Sequence, residues 1–175
     1  MEASTNHLKS SISIFKQYKG LAEKAIAQLN DEQLFWKPEP ESNSIYLIIK
    51  HLSGNMQSRW TDFLTTDGEK EWRNRDEEFI DDKHPQREEV MTIWNNGWIC
   101  LFAALEALTP NDLSKIVKIR TENHSVMEAI NRQLAHYSYH IGQVVFLAKI
   151  MSSENWQTLS IAKNKSKAFN KEMMK

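Results

Sequence analysis

Two histidines four residues apart, His136 and His140 in the run Ala135-His136-Tyr137-Ser138-Tyr139-His140, have a spacing that by itself points to chemistry. Four residues is one helical turn, so both imidazoles leave the same face with Cβ atoms about 5–6 Å apart. Two such nitrogens can reach one metal ion at about 2.0–2.1 Å. Tyr137 stands where the zincin motif has its glutamate, so the pair brings no built-in general base. Of the four other histidines, His51 stands out. It sits inside the apolar run Ile48-Ile49-Lys50-His51-Leu52, on a face that should look inward. A neutral buried histidine with one hydrogen bond would account for it. So would a third metal ligand, because three imidazoles from two facing helices of a bundle make a compact facial set. No carboxylate is placed among the three by any spacing. A divalent ion held this way would keep its double charge and at least one position open to water or substrate.

Asn55 and Arg59 follow His51 at four and eight residues, on nearly the same face, and Gln143 lies seven residues after His136. They read either as supports and substrate contacts of the site or as polar rim of a partly exposed helix. The stretch Thr66 to Asp82 mixes both charge signs around Trp72 and Phe79. A solvated crossover loop explains it simply. A sharper reading is a lid anchored by Trp72, from which Arg73 or Arg75 meets an anionic substrate. Cys100, the only cysteine, lies in the apolar run Trp98 to Phe102 and reads as an inert buried thiol.

The elements that must position these groups are helical. Leu8, Ile12, Phe15, Ala22, Ile26 and Leu29 form one stripe of a helix from about Ser4 to Leu29. Pro38 and Pro40 force a loop over Leu34 to Pro40, whose aromatics should pack back. A second helix starts near Ser42-Asn43-Ser44 and carries Ile45, Ile48, Ile49, Leu52, Met56, Trp60 and Phe63 inward. Pro85 fits the first turn of a third, with Val90, Ile93, Trp94, Ile99, Phe102, Leu105 and Leu108 along it. Residues Asn111 to Asn123 connect, with Ile116 to Arg120 as a short extended piece. Ser125-Val126-Met127-Glu128 has capping-box form and opens a fourth helix running to about Met151. The tail, about 152–175, holds Trp156, Leu159 and a lysine-rich end.

Composition fits this reading. Only 5 glycines and 4 prolines interrupt the 175 residues, which suits long helices and not a many-turned β architecture. With 41% apolar residues a core is affordable, and the whole of 1–175 reads as one domain. A net charge of −1 offers nothing to nucleic acid or an anionic membrane. Lys163, Lys165 and Lys167 read as solvated. The start Met1-Glu2-Ala3-Ser4-Thr5 is not a signal peptide, and no apolar stretch is long enough to span a bilayer. A cytoplasmic protein is expected. The fold expected is all-α: an antiparallel four-helix bundle with long crossover loops.

The segments His51-Leu52-Ser53-Gly54-Asn55 and Gln133 to Gln143 resemble the DinB-like superfamily, which includes DinB proteins and bacillithiol-transferase-like bundles. Ser58 to Lys70 is similar to a subgroup of undefined function. The resemblance implies a four-helix bundle with a three-histidine site, placing the metal ligands on His51, His136 and His140. It carries no substrate residues across. It implies one divalent cofactor, zinc or nickel first and iron next, and a small-molecule substrate such as a low-molecular-weight thiol. The activity implied is thiol S-transfer or metal-dependent hydrolysis. The alternative is a non-catalytic metal-binding stress-response or dimerisation module. A homodimer is expected in either case.

Overall fold

A computed structural model describes residues 2–174; Met1 and Lys175, the ends of the span read as one domain, lie outside the described residues. The chain is mostly helical. Four long helices, α1 (Glu2–Ile26), α2 (Ile45–Trp60), α3 (Arg87–Glu106) and α4 (Val126–Ser152), share one core. A short hairpin, β1 (Ile116–Ile119) paired antiparallel with β2 (Glu122–Ser125), precedes α4. A small helix α5 (Ser166–Met173) ends the described chain with no buried residue. Its lysine-rich surroundings are exposed as expected, but its helicity was not foreseen. Among the described residues, no helix is long and apolar enough to cross a membrane.

The principal packing is α2 on α3 and α1 on α4, with further contact of α2 with α4 and of α1 with α3. In α2 only Lys50, Gly54 and Gln57 escape burial, so this helix is covered on every side. That is why His51, Asn55 and Arg59 are buried although they are polar. Ser44 caps α2, its Oγ accepting from the Leu47 amide at 3.2 Å. The helix stops at Trp60, before the expected Phe63, because Asp62 takes a left-handed conformation (φ 48°). Helix α3 starts at Arg87, two residues after Pro85, with Gln86 as N-cap. Arg87 instead serves the end of α1, donating to the Leu29 carbonyl at 2.7 Å and pairing with Asp31. Ile99, expected inside, is 65% exposed; Trp98 takes the inward position. The extended piece at Ile116 and the capping box at Ser125 form as expected.

Two features fix the helices that carry the site. Trp60 Nε1 donates to the Tyr137 hydroxyl at 3.1 Å, which donates to Asn55 Oδ1 at 3.0 Å. This buried chain ties α2 to α4 directly behind the histidines. On the other side, α3 approaches α2 so closely at Gly97 that an added Cβ would sit 2.8 Å from the Ser53 Cα. Backbone cannot yield there as a side-chain tip would. Gly97→Ala is therefore expected to destabilise the protein by about 1–3 kcal/mol, read as a lower thermal midpoint; an unchanged midpoint would contradict this packing.

Candidate metal centre

His51 lies in the middle of α2, and His136 and His140 lie one turn apart on α4. The α2–α4 contact brings the three together as a group that could hold a metal ion: one nitrogen from each lies within 4.8 Å of the others. Their ring centroids are 4.9 to 5.3 Å apart. His51 Nε2 and His136 Nε2 are 3.2 Å apart. Two ligands of one tetrahedral ion with bonds of about 2.0–2.1 Å lie about 3.3 Å apart, so the pair already has that separation.

The surroundings set the ring protons. His51 Nδ1 faces Glu78 Oε2 at 2.9 Å, and His140 Nδ1 faces Gln143 Oε1 at 2.8 Å. His136 Nδ1 has a longer contact with Gln133 Oε1, at 3.4 Å. Carboxylate and amide oxygens only accept, so Nδ1 carries the proton in each ring. The unprotonated Nε2 atoms of His51 and His136 then face each other, and Nε2 is the nitrogen His140 has free for a ligand. His140 Nε2 is buried with no hydrogen-bond partner among the described residues. An orphaned acceptor is costly unless something fills it, and a cation at the convergence point would. The donor set therefore fits a divalent metal.

The expectation that no carboxylate accompanies the histidines is corrected here. Glu78 is 8% exposed and sits against His51. Arg73 holds it from behind through Nε to Oε1 at 2.7 Å and Nη2 to Oε2 at 3.0 Å. Burial would raise the Glu78 carboxyl, but hydrogen bonds from His51 and Arg73 outweigh it and hold it below its usual range. A carboxylate behind a ligating histidine fixes its ring and raises its basicity. Gly54 makes the room: a Cβ there would collide with Oε1 and lie 2.8 Å from Cδ.

The other anticipated residues separate. Gln143 touches His140. Asn55 and Arg59 line, with His51 and His136, a cavity of about 390 Å³ beside the histidines. Asn55 is also bound by Tyr137, whose hydroxyl burial holds far above its ordinary range. The lid reading needs correction. Trp72 is 61% exposed and anchors nothing, and Arg73 is committed to Glu78. Arg75 does line the cavity, its guanidinium 5.2 Å from the Phe79 ring centre. Cys100 is only partly buried, its Sγ 3.5 Å from Thr61 Oγ1.

Burial, and then the neighbouring His140 and His51, depress His136 to about 3; burial depresses His140 to about 4. Both rings thus hold protons less readily folded than unfolded. Above the ordinary value of 6.5 both states are neutral and the rings contribute no pH dependence. As pH falls below it the unfolded chain protonates first, so stability drops. The metal-free protein is therefore expected to lose thermal stability between pH 6.5 and about 5, above the range where ordinary carboxylates titrate. A midpoint that holds level or rises on acidification through that window would contradict this.

Glu78 and Gly54 were not identified from the sequence, and Arg73 was read as a substrate contact and not as the partner of Glu78. Gly54 had a signal, since a glycine inside a helix costs stability and needs a packing reason. Glu78 had none: it lies 27 residues from His51 in a stretch without periodicity.

A family model described as "Protein of unknown function (DUF1572)" matches residues 2–165. No curated protein matches the chain.

Proposed function

The chain belongs to that family of unknown function, so its activity must be read from the site, and we propose a metal-dependent transferase acting on a small thiol. The carrying observation is the cluster of three histidines, the His140 Nε2 orphaned among the described residues, with His51 and His136 lining a cavity that no described Asp or Glu lines. His51, His136 and His140 would hold one divalent ion, with zinc suiting an all-imidazole set. Bound there, the ion supplies a Lewis acid that lowers the pKa of a thiol or water in its open position. Glu78 and Gln143 hold two of the rings in the ligating tautomer.

The starting acidities favour thiol over water. Free water starts from a pKa of about 15.7 and a thiol from about 8.5, so the same Lewis acid ionises the thiol more fully. A thiol, with an ordinary pKa near 8.5, needs only electrostatic help to ionise and passes its proton to solvent. Its sulfur then attacks an electrophilic carbon. A carbon–sulfur bond forms as the carbon's leaving group departs with the old bonding pair.

The reading includes a DinB-like four-helix bundle, which the helix packing and the three-histidine cluster support. It also includes pairing with a second copy, supported by Tyr139, Phe146 and Ile150, exposed along one face of α4.

The test is untagged protein loaded with zinc, a panel of bacterial thiols and a chromogenic electrophile. Turnover should require both metal and thiol and should vanish with a chelator. Absence of metal-dependent turnover with every thiol would count against the reading.

A further inference from the structure

The cavity beside the histidines is ringed by guanidinium groups. Arg59, Arg73, Arg75, Arg120 and Arg132 all line it. Two have carboxylate partners: Arg73 is bound to Glu78, and Arg120 Nε donates to Glu69 at 3.0 Å. Arg59, Arg75 and Arg132 form no ion pair among the described residues. Arg59 is the decisive one. It is 4% exposed, and its Nε and Nη1 are buried with no hydrogen-bond partner among the described residues. Gly68 leaves the space it occupies, since a Cβ there would lie 2.7 Å from Nη1 and 2.9 Å from Cδ.

The nearby acids do not neutralise it: Glu69, whose charge is felt at Arg59, is paired with Arg120, and Asp67 is spent elsewhere. Asp67 is occupied by the backbone, accepting from the amides of Glu69, Arg120 and Thr121 at 2.7 to 2.8 Å. Those bonds hold the left-handed turn at Arg120 and Thr121 (φ 53° and 69°) and so bring Arg120 to the cavity rim. A buried guanidinium without a counter-charge is strongly unfavourable unless something else supplies the charge.

We infer that the cavity takes a small substrate bearing an oxyanion group, a carboxylate or a phosphate, received by Arg59 with Arg132 and Arg75 at the rim. This rests on reading the cavity as the reaction site. A guanidinium presents a planar fork of donors that matches either group. At about 390 Å³ the space is near the small end of ligand pockets, which fits a metabolite and not a polymer. The end of the molecule away from the anion then faces His51 and His136 across the same cavity.

The test uses succinate and inorganic phosphate as separate probes, with sodium chloride at matched ionic strength as control. Binding is measured by calorimetry and thermal shift on zinc-loaded and on chelator-treated protein. Succinate or phosphate should bind and raise the thermal midpoint beyond the salt control even in chelated protein. The better probe identifies the group. Arg132→Gln, an exposed change, should weaken binding about tenfold, the size expected for one lost charge-assisted contact. Arg59→Met should abolish binding yet raise the midpoint of the ligand-free protein, because an unpaired buried charge gives way to an apolar chain of similar length. A merely structural Arg59 would lower that midpoint. No binding beyond the salt control by either probe, or unchanged binding in Arg59→Met, overturns the inference. Binding that survives in chelated protein while zinc fails to bind sustains the inference and defeats the metal reading instead.

Discussion

Replacing His140 with alanine is expected to abolish stoichiometric metal binding while leaving the helices folded. Its Nε2 is buried and without a protein partner, so the ring's side towards the site contributes no internal hydrogen bond. The hydrogen bond lost is the 2.8 Å contact from Nδ1 to Gln143, together with ring contacts to His51, His136 and Tyr139. The remaining His51 and His136 would offer two nitrogens, too few to hold an ion tightly. Affinity should fall by more than about a hundredfold, beyond what loss of a supporting partner alone costs. Competition against a chromogenic chelator measures this, and circular dichroism checks that the fold persists. An affinity equal to the unmodified protein's would show that His140 is no ligand.

Glu78→Gln should give the second-largest effect, by a different route. Glutamine keeps the shape and can still accept from His51 Nδ1, but it removes the charge that Arg73 faces. The Arg73 side chain is 3% exposed and that of Glu78 9%, so the guanidinium is left buried and unpaired. Breaking a buried pair from one side costs about 3–5 kcal/mol, so the thermal midpoint should drop clearly. Metal affinity should fall by about 10–100-fold as His51 loses its orienting anion. Glu78→Gln combined with Arg73→Met separates the two effects. The double variant should recover stability and not metal affinity. Recovery of both would mean that Glu78 acts on the fold alone.

What the sequence disclosed about this site follows from the range of each interaction. His136 and His140 were legible because their relation is one helical turn. His51 was legible because an imidazole amid isoleucines needs an explanation. The capping box at Ser125 and the cap at Ser44 are local hydrogen-bond patterns and were legible for the same reason. Glu78, its pairing with Arg73 and the Arg59 surroundings were not. They depend on how a charged, aperiodic segment folds back across α2, and no local pattern encodes that path. The segment between Thr66 and Asp82 is not a plain solvated loop, and neither Trp72 nor Arg73 has the part the lid reading gave it. Asp67 ties it to the hairpin turn at Arg120 and Thr121, and Arg73 and Glu78 tie it to His51. Ile99 shows the limit of helical stripes: it and Trp98 are adjacent, and the larger ring takes the core.

The most direct test of the central claim is X-ray absorption at the zinc edge, on untagged protein loaded with one equivalent of zinc. The account predicts three imidazole nitrogens at about 2.0–2.1 Å and one further light atom that a small thiol replaces with sulfur at about 2.3 Å. A zinc environment without three imidazoles, or protein that holds no zinc at all, would contradict it.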